Sequence, residues 1–183
     1  VRYAQLNSVY MLSPTDGWAV GGVSGRGGVM LRYRNGVWED VKPQGGEGTQ
    51  WDFSDFWTGI QMLSADEGWA VDGTGRDVYH YSKGTWTKVA DPDAGKVGDL
   101  SAIQMLPGDG GYLEGWAVGS GVLHYKGGKW TRMRTGYYDL RSIYMVSPDE
   151  GWAVGDGAYS PTRGRKDPML HYANGEWSLV PLE

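Results

Sequence analysis

The chain has 183 residues, and its 31 glycines, 10 tryptophans and 12 tyrosines against 2 phenylalanines suit a turn-rich β-fold better than a helical bundle. A formal net charge of −5 gives no electrostatic basis for binding a phosphate backbone, which excludes nucleic acid as an expected partner. With no cysteine, disulfides, thiolate metal sites and cysteine nucleophiles are excluded, and no apolar run approaches the roughly 20 residues that span a bilayer.

In chain order, one unit occurs four times. The first repeat, about 6–42, opens on the alternating apolar pair Val9 and Met11, passes a polar turn and reaches Gly-Trp-Ala-Val at Trp18. A segment ending in Tyr33 and an Asn35-Gly36 turn then lead to a second ring, Trp38. The second repeat, about 57–90, carries Ile60, Met62, Trp69, Tyr81 and Trp86 in the same places. The third, about 100–134, has Ile103, Met105, Trp116, Tyr125 and Trp130. The fourth, about 140–181, has Ile143, Met145, Trp152, Tyr172 and Trp177, with Asn174-Gly175 before the last. Successive second tryptophans are spaced by 48, 44 and 47 residues.

Each unit reads as four short strands, A to D, from its period-2 alternation and its hairpin turn signals. Four-stranded units of this length predict an all-β fold, a β-propeller of four four-stranded antiparallel blades in a single domain over 1–183. No segment holds a 3.6-residue period, so no helix is expected. The repeat tryptophans should pack blade against blade. Trp57 aligns with Leu6, Leu100 and Leu140 and is expected in the core. Closure of a four-bladed monomer would rest on packing between the last and first blades; the alternatives are a propeller-completing dimer or a chain that is part of a larger propeller.

Spacing indicates where function lies. From tyrosine to second tryptophan, across the C–D turn, the distance is always five residues; across the A–B turn it is 7, 7, 11 and 7. Across B–C it is 15, 12, 9 and 20, and across the D-to-A links 22, 17 and 13. In a four-strand meander the variable connections share one edge, where repeat proteins place functional insertions. The first link holds Trp51, Phe53 and Phe56 among carboxylates and amides, a composition suited to stacking on sugars or docking a protein, or to folding back over the core. The fourth B–C loop holds Tyr159, Arg163, Arg165 and Lys166, which would clamp a carboxylate or sulfate or else remain solvated. Tyr137 and Tyr138 offer a further stacking surface or inter-blade packing.

Asp99 and Asp139 both directly precede strand A in adjacent repeats. As a pair they fit a cation or acid/base role, and singly they fit turn residues entering a strand. His80, His124 and His171 recur at one strand C position, too far apart for a shared metal, and read as blade-surface consensus. Asp16, Glu67, Glu114 and Glu150 precede each Gly-Trp and are expected to satisfy turn amides. No metal or cofactor is expected.

The repeats resemble propeller repeats of the Asp-box (sialidase-type) and kelch groups. They are most similar to the Gly-Trp-Ala-Val-Gly repeats of bacterial proteins related to photosystem II assembly factors, over about residues 6–180. The Asp-box itself is reduced here to the turn and ring of Tyr33-Arg-Asn35-Gly36-Val-Trp38, and a clean Gly21-Gly22 pair marks the first repeat alone. The arginine set and tyrosine–glutamate pair of sialidases have no counterpart, so hydrolase activity does not carry over. The resemblance implies a propeller, while its members' functions range over protein docking, sugar binding and hydrolysis. The expectation is a non-catalytic module for protein docking or assembly, not an enzyme. The alternative is a glycan-binding propeller, and behind it a glycoside hydrolase or sialidase-like enzyme acting through Asp99 and Asp139. A chain opening at Val1 without a basic-then-apolar leader is expected to be a mature secreted product or an excised domain, extracellular or periplasmic.

Overall fold

The computed structural model describes residues 4–23, 27–41, 56–74, 76–89, 93, 97–135, 138–157 and 168–181. It comprises two compact units, Val1–Ala90 and Asp91–Glu183. In the first unit, blade 1 is β1 (Gln5–Ser13), β2 (Asp16–Val23), β3 (Gly27–Arg34) and β4 (Val37–Asp40). Blade 2 is β5 (Trp57–Ser64), β6 (Glu67–Asp72), β7 (Val78–Ser82) and β8 (Thr85–Lys88). In the second unit, blade 3 is β9 (Leu100–Pro107), β10 (Leu113–Gly119), β11 (Val122–Lys126) and β12 (Lys129–Met133). Blade 4 is β13 (Tyr138–Ser147), β14 (Glu150–Gly157), β15 (Met169–Ala173) and β16 (Glu176–Leu179). Each blade is a separate four-stranded antiparallel meander with strands hydrogen-bonded in sequence order, so the all-β, four-blade expectation holds.

Local chemistry explains the meander. The C–D hairpins turn through two positive-φ residues, as at Asn35 (47°) and Gly36 (93°), the geometry that matches the twist of the flanking strands. At the A–B turn a serine hydroxyl accepts from backbone amides: Ser13 Oγ from Thr15 N at 3.1 Å and Asp16 N at 3.0 Å, and Ser64 Oγ from Asp66 N at 3.1 Å. The glycine of Gly-Trp-Ala-Val is a packing requirement. A Cβ on Gly68 or Gly115 would run into the sulfur of Met62 or Met105, which lies flat across that glycine.

Each blade therefore has two unlike faces. The front carries the Ile/Val–Met pair, the alanine, the tyrosine and the second tryptophan; the back carries the first tryptophan and the valine two residues on. In unit 1 the back of blade 1, with Trp18, Val20, Tyr10 and Leu12, packs on the front of blade 2, with Trp57, Ile60, Met62, Tyr81 and Trp86. In unit 2 the back of blade 3, with Trp116 and Val118, packs on the front of blade 4, with Leu140, Met145, Ala153 and Tyr172. Trp57, Leu100 and Leu140 are buried as expected. Leu6, their fourth equivalent, is half-exposed, and so are Trp38 and Trp152 among the repeat rings.

The sequence reading also missed a 3-10 turn at Asp109–Gly111. It takes up the longer A–B spacing of repeat three and is closed by Gly108 N donating to Tyr112 O at 2.6 Å, too short a device to register as a helical period. Among the described residues, no helix is long and apolar enough to cross a membrane.

Candidate functional site: the loop edge of the blades

Backbone bonds sort each blade's connections into two edges. On one edge the tight turns are tied to each other, Asn35 N donating to Thr15 O at 3.0 Å and Lys83 N to Asp66 O at 2.9 Å. On the opposite edge the link entering strand A is tied to the B–C turn, Gly73 N donating to Phe56 O at 3.0 Å and Ser120 N to Asp99 O at 2.8 Å. The connections of variable length thus share an edge within the blade.

A β-bulge at the start of strand A shapes that edge in all four blades. Asn7, Thr58, Ser101 and Arg141 are the extra residues, each displaced from the ladder. Displacement aims their side chains out of the strand: Asn7 Nδ2 donates to Trp57 O at 2.7 Å and Thr58 Oγ1 to Val71 O at 3.2 Å. Arg141 donates through Nε and Nη2 to Asp156 Oδ2 at 2.8 and 2.6 Å. That bonding, together with the charge of Asp156, raises the Arg141 pKa.

In unit 2 the bulges open a polar recess of about 190 Å³ lined by Asp99, Ser101, Gly119, Ser120, Asp139 and Arg141. Asp99 and Asp139, paired on sequence grounds, do face one recess, and both are exposed. Ser120 Oγ donates to Asp139 Oδ1 at 3.2 Å. One cation, two carboxylates and two hydroxyls suit the groups of a polar peptide better than a single ion. Ser101, Ser120 and Arg141 were not singled out from the sequence. The signal was present for Arg141: Leu140 and Ile143 face the same side three residues apart, which period-2 geometry allows only across a bulge.

In unit 1, Phe56 lies half-buried with its ring over Gly22, and its backbone is held by Asp72. Asp72 is fully buried where the other blades have Gly21, Gly119 or Gly155, and its Oδ1 accepts from Phe56 N, Thr74 N and Thr74 Oγ1 at 3.1, 2.7 and 3.0 Å. Tyr138 is half-buried against the unit 2 core. Trp51, Phe53, Tyr137, Tyr159, Arg163 and Arg165 lie outside the described residues.

The carboxylates before each Gly-Trp pair across strands B and C rather than serving the turn amides, which serine hydroxyls hold in blades 1, 2 and 4. Glu67, Glu114 and Glu150 meet Nε2 of His80, His124 and His171 at 2.5, 2.7 and 2.6 Å, and Asp16 meets Arg32 at 3.0 Å. Each cationic or imidazole partner lies against the first tryptophan of its repeat, as His124 on Trp116 at 4.8 Å and Arg32 over Trp18 at 4.8 Å. Among the described residues, no group of three or more His, Asp or Glu is placed to hold a metal.

No family model and no curated protein matches the chain. Solved structures do. A structure of YCF48 bound to D1 peptide aligns with a TM-score of 0.64 at 17% identity, covering 96% of this chain and 53% of that one. A catalytically inactive virginiamycin B lyase from Staphylococcus aureus with quinupristin aligns at 0.64 and 10% identity, covering 98% and 56%. A selenomethionine-substituted form of that lyase aligns at 0.59 and 12% identity, covering 98% and 71%. At these identities the likeness is one of fold, and it defines the class: this is a β-propeller protein. The chain spans about half the length of the first two structures it matches.

Proposed function

We propose that the chain is a non-catalytic docking module whose loop edge recognises a segment of a protein partner. The observation that carries the reading is the recess of Asp99, Ser101, Ser120, Asp139 and Arg141, built by strand bulges on the edge that also gathers the connections of variable length. Rigid strands holding a mixed set of donors and acceptors suit backbone amides and polar side chains of a bound segment. That YCF48 is a propeller of similar fold solved with a D1 peptide supports the same reading. The glycan alternative rests on Trp51, Phe53, Tyr137 and Tyr138, of which the first three lie outside the described residues and Tyr138 is half-buried against the unit 2 core.

A peptide-display selection on the intact chain tests this, read against Asp99→Lys and Asp139→Lys on the loop edge and Lys83→Glu and Glu176→Lys on the tight-turn edge. Enriched peptides should lose about tenfold in affinity, ~1.4 kcal/mol, with the first pair alone. Enrichment that fails, or that depends on the second pair, overturns the proposal. A glycan array that lights up where no peptide is enriched moves the reading to a lectin.

A further inference from the structure

The two internal blade contacts are built alike. Trp18 meets Tyr81 edge-on at 5.2 Å in unit 1, and Trp116 meets Tyr172 edge-on at 5.8 Å in unit 2. Flanking them, Tyr10 and Leu12 pack against the first contact and Leu106 against the second. Gln104, the equivalent of Tyr10, brackets Met145 by accepting from its N at 2.6 Å and donating to its O at 2.9 Å.

The same two half-contacts recur uncovered. On the front of blade 1, Leu6, Val9 and Met11 hold the places of Leu140, Ile143 and Met145; Val9 is 61% exposed where its blade 2 equivalent Ile60 is 6%. A groove of about 520 Å³ runs between Leu6, Val9, Leu31 and Trp38. On the back of blade 4, Tyr144, Val146, Trp152 and Val154 hold the places of Gln104, Leu106, Trp116 and Val118; Trp152 is 37% exposed where Trp116 is 0%. Contiguous apolar faces of this kind mark interaction surfaces in soluble proteins.

We propose that the front of blade 1 seats the back of blade 4 from a second copy of this chain, with the Trp152 ring edge-on to the partner's Tyr33 and Tyr144 over the partner's Met11. The residues themselves argue for this occupant: position by position, the face that complements blade 1 is the one blade 4 offers. The receiving face is already set. Tyr33 and Trp38 stand at 5.1 Å and 42°, against 5.0 Å and 42° for Tyr172 and Trp177 in the filled contact of unit 2, so this ring pair already has its filled geometry. Each copy then gives one face and receives one, a head-to-tail contact that two copies can satisfy together.

Sedimentation or light scattering on the intact chain at about 100 μM, above the Kd of a modest interface, tests the pairing. The expected mass is that of two chains. Val9→Arg and Tyr144→Arg should each run as one chain, and their equimolar mixture should regain the two-chain mass through its one intact contact. A wild-type chain that runs singly, or a mixture that stays single, overturns the proposal; so does a single-chain wild type whose melting temperature falls with Val9→Arg, since the face is then covered within one molecule. Should either arginine variant fail to melt cooperatively, Leu6→Glu and Val146→Glu, also at exposed positions, take their places.

Discussion

His124 Nε2 lies 2.7 Å from Glu114 Oε1 while its ring stacks on Trp116 at 4.8 Å and 17°. A carboxylate can only accept, so the imidazole donates, and the indole below holds its plane. The arrangement repeats with Trp152, His171 and Glu150, and with Trp69, His80 and Glu67, as one polar cross-strand clamp per blade. Blade 1 substitutes Arg32 and Asp16 and keeps the stacking.

Burial lowers the His124 pKa, and the Glu114 bond offsets this in part. A base with a depressed folded pKa leaves the unfolded chain to take up the proton first. Stability is therefore lost as pH falls below the ordinary histidine value of about 6.5 toward the lower folded one. His124→Gln, which keeps an N–H donor but cannot titrate, should flatten the fall in melting temperature between about pH 7.5 and 5. An unchanged slope would mean that His124 is not the group responsible.

The blades were legible in the sequence because the repeat carries its own punctuation: Asn35-Gly36 and Asn174-Gly175 fix the hairpins, and the methionine–glycine pairs fix the register. The exposed Trp38 and Trp152 were not legible, since a repeat pattern marks equivalence and not whether a neighbour covers the position. Nor were the His–Glu pairs, for Glu114 and His124 stand ten residues apart on strands whose register only the fold aligns. The recess was half legible: Asp99 and Asp139 came from their shared place before strand A, while Arg141 needed the bulge.

Two glycine-to-alanine changes should destabilise for different reasons. At Gly119 a Cβ would strike the carbonyl oxygen of Asp99 and the Cα of Leu100, backbone atoms that cannot step aside. Gly119→Ala should cost about 2–3 kcal/mol and disturb the recess along with the fold. At Gly36 the surroundings are open but φ is 93°, so Gly36→Ala should cost about 1–2 kcal/mol through backbone strain alone, with ligand binding unchanged. Urea unfolding read beside peptide binding separates the two.

Asp72 is the buried anchor of the link entering blade 2. Asp72→Ala removes the acceptor of three donors and leaves the Phe56 and Thr74 amides unsatisfied, at an expected cost of about 3 kcal/mol. Asp72→Asn retains an acceptor oxygen and should recover about half. Equal losses for the two variants would place the importance of Asp72 in its charge.

The sharpest contrast lies between two tryptophans with the same place in the repeat. Trp116 is fully buried at a filled blade contact, so Trp116→Ala should cost about 3–5 kcal/mol at any protein concentration. Trp152 keeps its stack on His171 but turns an open edge to solvent, so in dilute protein Trp152→Ala should cost about 1–2 kcal/mol. If the back of blade 4 seats a second copy, that smaller cost must grow as protein concentration rises, because the wild type gains from association and Trp152→Ala does not. Melting temperatures of both variants and the wild type across a hundredfold dilution series give the answer. A Trp152 deficit that widens with concentration, beside a constant Trp116 deficit, assigns the exposed ring to pairing; parallel lines would leave it a surface residue of a single chain.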